Sequence, residues 1–301
     1  MSDGGRPGHD DDSHRVRIAT DVHEPPRVRV GDASEGATRN VRVSRDESTI
    51  LDKAKASPIT ALLVAVNVAV FLWAASTGDT TTNATLLRFG AVEPLHVWKG
   101  QYWRLATCMF MHIGWIHIAW NTYAGVGWCA SVERSLGKWR FLLVYLASGL
   151  AGGSVSVLGA WLTSRGHISA GASGAMFGMV GATFAIRLHQ LGSFKLFRED
   201  RAVRATLLNI GIWTLIGFSL HVDNWAHGGG LLAGGITTWL FVRRASAGRW
   251  VVFTVAYVAF VVAAARPWHK ATEDDFCRLY EEICKSMPTG TTHAPASDLE
   301  R

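Results

Sequence analysis

The sequence predicts an all-α, polytopic membrane protein, and two observations carry that reading. Apolar runs long enough to cross a bilayer recur at about 59–75, 113–132, 139–162, 173–188, 203–220, 225–242 and 250–265, and a helical span needs only about 20 such residues. The connections between them alternate in basicity. Lys53 and Lys55, then Arg134, Lys138 and Arg140, then Lys195, Arg198, Arg201 and Arg204, then Arg243, Arg244 and Arg249 mark one side. The connection at 220–224 has no Lys or Arg, and that at 163–167 has only Arg165. By the positive-inside rule the N-terminus is cytoplasmic, and seven spans leave the C-terminal tail outside. Arg88, Lys99 and Arg104 in the first outer loop run against the rule. Composition agrees with a membrane core carrying polar ends: 49% of residues are hydrophobic and 18% charged, too apolar for an ordinary soluble domain.

Residues 1–56 are charged, contain Asp10, Asp11 and Asp12 and show no periodic apolar face, so they are expected to form a disordered cytoplasmic extension. The first fifty residues lack the apolar core of a secretory signal. The first helix is therefore expected to act as its own insertion signal. Ser57 and Pro58 supply an N-cap and a first helical position, and Asn67 in mid-span suits a hydrogen bond between helices. Between 77 and 111 the pattern is irregular, with Trp98, Tyr102 and Trp103 close to Lys99 and Arg104. Rings beside cationic heads favour the headgroup level, so an interfacial loop is expected. Cys108 and Cys129 read as small buried hydrophobes. In the polar tail at 267–301, Cys277 and Cys284 are seven residues apart. That is about 10 Å along a straight helix, so a disulfide there needs a bend and an oxidising compartment. The net charge of +6 is spread between apolar segments and forms no basic face with interleaved aromatics, which excludes a nucleic-acid partner.

The chemistry gathers around Gly171-Ala172-Ser173-Gly174. A serine among glycines at a helix start is either a packing seam between spans or a nucleophile beside free amide N–H groups. With seven spans, the second, fourth and sixth all enter from the outer side. His117 and Asn121, Ser173, and His227 then lie within their first turns, at one shallow depth. A hydroxyl needs a base to become nucleophilic, and His227 is the imidazole at that depth. Gly174, Gly178 and Gly181 on one span and His227, Gly230 and Gly234 on the other recur at helical spacing, giving two narrow faces that can approach closely. Phe177, one turn after Ser173, is placed to stack on the imidazole. His117 and Asn121 are four residues apart on one helical face, and both can donate to an oxyanion together with the Ser173 amide. A metal site is disfavoured. His112 and His117, five residues apart, diverge by about 140° on a continuous helix, and the outer halves of the spans carry no acidic partner. A transporter could use the same polar groups, though no internal repeat is visible. His96, His189 and His221 read as loop or interfacial residues without chemistry.

Taken together, these pieces resemble the rhomboid family of intramembrane serine proteases over about 58–242. The likeness rests on Trp103-Arg104, on His117 to Asn121 after Met111-His112, on Glu133 and Gly137, on Gly171 to Gly174, and on Ala226 to Gly230. The resemblance implies a rhomboid-like six-helix core at 57–242 with one added transmembrane helix at 243–266. It implies Ser173 as nucleophile, His227 as base and then acid, and His117 and Asn121 as oxyanion stabilisers. Gly171, Gly174, Phe177, Gly230 and Gly234 would support the site, and Trp103, Arg104 and Glu133 the fold around it. It further implies no metal or cofactor, and single-span or polytopic membrane proteins as substrates. A rhomboid-like pseudoprotease that binds membrane clients uncut, and a transporter, are the rival readings.

Overall fold

A backbone in lipid must satisfy its own hydrogen bonds, which long apolar runs do by coiling. The computed structural model describes residues 55–219 and 222–266, all within the unit Glu47–Arg301. Most of the N-terminal extension, His221, and Cys277 and Cys284 lie outside the described residues. Among the described residues the regular structure is helical, apart from one isolated antiparallel bridge between Val92 and Ser169. The long helices are α1 (Pro58–Thr77), α5 (Gly114–Leu136), α6 (Lys138–Thr163), α7 (Ser173–Leu191), α9 (Arg201–Ser219), α10 (Asn224–Val242) and α11 (Ala247–Ala265). Four short ones, α2 (Asn83–Arg88), α3 (Pro94–Trp98), α4 (Arg104–Thr107) and α8 (Phe194–Glu199), lie between them. By length and composition α1, α6 and α11 suffice to cross a membrane. The helices that carry Ser173, His227, His117 and Asn121 are as long as α1 or nearly so, but their apolar content is diluted by glycine, histidine and asparagine.

The start of α1 corrects the expected cap. Ser57 makes no side-chain cap; its hydroxyl lies 3.4 Å from the Ala130 carbonyl and 3.3 Å from Arg134 Nη1. The cap comes from Glu133 on α5, whose carboxylate accepts the Ile59 N–H at 3.0 Å, the Thr60 N–H at 2.7 Å and the Thr60 hydroxyl at 2.8 Å. A buried carboxylate holding three donors ties the start of α1 to the last turn of α5. Four residues on, Gly137 turns the chain into α6 with φ +81, a left-handed value that glycine adopts without strain.

The stretch after α1 is more regular than expected. It folds into α2, α3, α4 and a 3-10 turn at Cys108–Phe110, and buries Val92, Leu95, Val97, Leu105 and Cys108 against Val157 and Ala160 of α6. Arg104 turns inward: Nη1 donates to the carbonyls of Leu87 (2.7 Å) and Ala91 (2.9 Å), and Nε to Gln101 (2.6 Å). Its guanidinium also lies 4.7 Å from the half-exposed Trp103 ring. The chain thereby satisfies orphan carbonyls with a cation, as helix ends require.

The tightest seam joins α7 and α10. A Cβ on Gly230 or Gly234 would fall onto the carbonyl oxygens of Gly174 or Gly178, and one on Gly178 would meet Ser148 of α6. Small residues thus let two backbones touch. Asn67 is buried beside Tyr145 of α6. Cys108 and Cys129 are buried free thiols. At the other end of α7, Arg187 Nη2 pairs with Asp200 at 2.5 Å, and Phe184 meets Phe197 edge-on, fixing the start of α9. The Tyr257 hydroxyl docks α11 onto the Ala147 carbonyl of α6. Leu62, Leu72, Trp73, Leu208, Leu232, Val252 and Val255 point outward, as side chains facing lipid do.

Candidate active site

Ser173 is the first residue of α7, preceded by Ala172, which has no side chain to cap the helix. The first amides of α7 therefore keep their donors free of side-chain capping. His227 lies one turn into α10. The glycine seam brings the two helices close enough for His227 Nε2 to lie 2.9 Å from Ser173 Oγ. Phe177 stacks on the imidazole with centroids 4.1 Å apart and planes 6° from parallel, so tilting the ring out of its plane costs that contact.

Gly171 bends the chain into this corner with φ +134, a conformation other residues rarely adopt. It also leaves room for two side chains of α5. A Cβ at Gly171 would lie 2.9 Å from His117 Nε2 and 3.3 Å from Asn121 Nδ2. His117 Nδ1 accepts the Ile113 N–H at 3.2 Å, which leaves Nε2 as the protonated nitrogen of the neutral ring. Asn121 Nδ2 is buried with no hydrogen-bond partner. Two N–H donors from α5 thus converge on the segment two residues before Ser173. Beside Ser173, Gly171 and His117 opens a cavity of about 270 Å³, lined also by Met109, Ile113, Ile168, Val222 and Asp223.

The structure therefore gathers Ser173, His227, Phe177, Gly171, His117 and Asn121 into one corner, with Gly174, Gly230 and Gly234 forming the seam behind it. Trp103, Arg104 and Glu133 stand apart. Glu133 is 16 residues from His117 on α5, about 24 Å along the helix.

One expectation about neighbouring groups needs correction. The rings of His112 and His117 do not diverge: they meet edge-on at 5.4 Å, because His112 precedes Gly114, the φ +68 residue at which the helix begins. Among the described residues no three His, Cys, Asp or Glu side chains gather as a metal site. Two acids lie just outside the long helices that carry the site. Glu93 caps α3 and meets His96 Nδ1 at 2.8 Å, and Asp223 caps α10 through the Ala226 N–H at 3.0 Å. His189 lies edge-on to Trp239. Asp223 was legible as an acidic residue just before an apolar run, whereas His167, which lies 3.4 Å from it, carried no local signal.

Known proteins match this chain over the same region. The Rhomboid domain model matches residues 99–244. Rhomboid protease GluP of Bacillus subtilis is 34% identical over 191 residues, 63% of this chain and 36% of GluP. RHOMBOID-like protein 5 of Arabidopsis thaliana is 36% identical over 152 residues, 50% of this chain and 47% of its own length. The chain thus spans less than half of either. It covers 72% of B. subtilis YdcA, which also bears the rhomboid name, at 32% identity over 152 residues. With its all-α architecture and membrane-length apolar helices, this integral membrane protein belongs to the rhomboid family.

Proposed function

We propose that the protein is an intramembrane serine endopeptidase that cuts membrane-spanning substrates near the outer surface of the bilayer. Ser173 is the nucleophile, and His227 the general base and then the general acid. The observation that carries this reading is the 2.9 Å contact between Ser173 Oγ and His227 Nε2, made beside a cavity that His117 also lines.

In this reading the neutral His227 carries its proton on Nδ1 and presents a lone pair on Nε2 to the hydroxyl. As Oγ adds to the scissile carbonyl, its proton passes to Nε2, and the new oxyanion is met by His117 Nε2–H, an Asn121 amide hydrogen and the Ser173 backbone N–H. The imidazolium then protonates the leaving amine. Water entering from the outer side attacks the acyl-enzyme with His227 again as base, and Ser173 regains its proton. A substrate helix must unwind locally first, because its intrahelical bonds shield the carbonyl. Small or helix-breaking residues near its outer end ease that step.

The domain plan belongs to the same proposal: a cytoplasmic extension at 1–56, a six-helix core at 57–242, a seventh span at 243–266 and an extracytoplasmic tail at 267–301. The basic connections at 134–140, 195–204 and 243–249 support a cytoplasmic N-terminus in a bacterial plasma membrane. The test is cleavage of a single-span substrate by protein reconstituted in liposomes. Ser173→Ala and His227→Ala are each expected to abolish product while the unfolding midpoint stays near wild type. Undiminished cleavage by Ser173→Ala refutes the proposal.

A further inference from the structure

Two stretches of chain lead into the dyad: 164–172 runs into Ser173, and 222–223 into His227. They are tied to each other. His167 Nε2 lies 3.4 Å from Asp223 Oδ2 and 3.0 Å from Ser156 Oγ on α6. The other carboxylate oxygen, Oδ1, accepts the Ala226 N–H at 3.0 Å, and the Asp223 carbonyl accepts the His227 N–H at 3.2 Å. One residue therefore holds the first turn of α10 by side chain and backbone, and holds the loop before Ser173 by its second oxygen. The loop has its own anchors: Ser169 and Val92 exchange N–H···O bonds of 2.8 Å, and the Gly171 N–H donates to the Cys108 carbonyl at 2.9 Å.

We propose that His167 and Asp223 form a positioning clamp, which locks the start of α10 against the loop before Ser173 and so sets the distance between Ser173 Oγ and His227 Nε2. The argument is geometric. α7 begins without a side-chain cap, so the lateral position of Ser173 depends on the loop before it. Asp223 also lines the cavity beside Ser173, but its contacts go to His167 and to the first turn of α10, so the pair acts through the dyad.

The clamp is also sensitive to pH. Burial works against a charge on His167, but the Asp223 carboxylate 3.4 Å away, with help from Glu93, outweighs it and holds the imidazole above its ordinary pKa. Burial would raise Asp223, yet His167, Ser156 and Ser169 hold its carboxyl below the usual range. The other groups facing the pair are Cys108 and His227 toward Asp223, and Glu93 toward His167, with Arg104 near Glu93. Both clamp residues are thus charged below the raised imidazole pKa. The attraction is lost as pH rises through it.

The test compares His167→Gln, Asp223→Asn and the double variant with wild type, measuring kcat, KM and unfolding midpoint between pH 5 and 10. Asparagine caps a helix as well as aspartate, so Asp223→Asn removes the charge and keeps the start of α10. Each single variant is expected to lower kcat about 10- to 100-fold with KM nearly constant, as small misplacements of reacting groups do. The double variant should be no slower than the slower single. Wild-type kcat should carry an alkaline decline that begins above the ordinary imidazole range and is missing in both singles. The inference rests on the protease reading, and the two fail differently. A wild type that cleaves nothing sinks that reading and the clamp with it. A cleaving wild type matched by His167→Gln in rate and pH profile sinks the clamp alone, as does an alkaline decline abolished by Asp223→Asn but kept by His167→Gln. If one single variant yields no folded protein, the other carries the same test.

Discussion

Gly230→Ala is expected to disable the site without touching a reacting group. An added Cβ on α10 would fall far inside contact with the carbonyl oxygen of Gly174, the residue next to Ser173. The obstacle is helix backbone, which has no rotamer to change, so α7 and α10 must part by more than about 1 Å to restore van der Waals distance. Overpacking of this kind costs about 1–3 kcal/mol, offset by about 1 kcal/mol of helix propensity gained by alanine over glycine. The net change in stability is therefore small. Catalysis suffers more, because about 1 Å of misplacement between reacting groups costs about 100-fold in rate. The control lies on the same helix: a Cβ at Gly228 would have nothing within 4 Å. Gly228→Ala should keep wild-type kcat and melt no lower than wild type. The assay is cleavage of a single-span substrate, with unfolding followed in the same detergent. Equal kcat for the two variants would refute the reasoning that the glycine seam sets the dyad distance.

Glu133→Ala should cost at least about 3 kcal/mol, since three buried donors lose a charged acceptor, while kcat per folded molecule stays near wild type. Glu133→Gln should recover part of the loss, and a selective rate defect with normal melting would contradict the capping role. Asn121→Ala should lower kcat by about 10²–10³ with KM unchanged, as removal of an oxyanion donor does; a purely KM effect would place Asn121 in ground-state binding. Phe177→Leu should remove a ring stack worth about 0.5–1.5 kcal/mol, which corresponds to about a 2- to 12-fold fall in kcat. An unchanged rate there would mean that the imidazole is oriented by something else.

Periodicity made much of this architecture legible. The runs around 59–75, 139–162 and 250–265 contain little besides apolar residues, so the helices at α1, α6 and α11 follow from length alone. The glycine spacings on α7 and α10 foretold the seam, since repeats of about four residues place the small positions on one face, and Phe177 followed from one helical turn. Contacts between distant segments were not legible. Glu133 caps α1 from 74 residues away, a bond that local spacing cannot specify, and Ser57 looked like the cap only because its own chemistry suits one. The loop at 77–111 was obscured because its short helices carry too few residues to show a period, and its order comes from Arg104 and from packing on α6. The error about His112 came from extending a helix through Gly114, whose positive φ stops it. His167 escaped notice because its partner enters the sequence 56 residues later.

The central claim is that the hydroxyl of Ser173 is made nucleophilic by His227. It is tested most directly by treating the folded protein in membranes with a fluorophosphonate probe and mapping the adduct by mass spectrometry. The account expects one labelled residue, Ser173, with labelling lost in Ser173→Ala and slowed by orders of magnitude in His227→Ala. Labelling of the His227→Ala protein at the wild-type rate, or an adduct on another serine that survives Ser173→Ala, would contradict it.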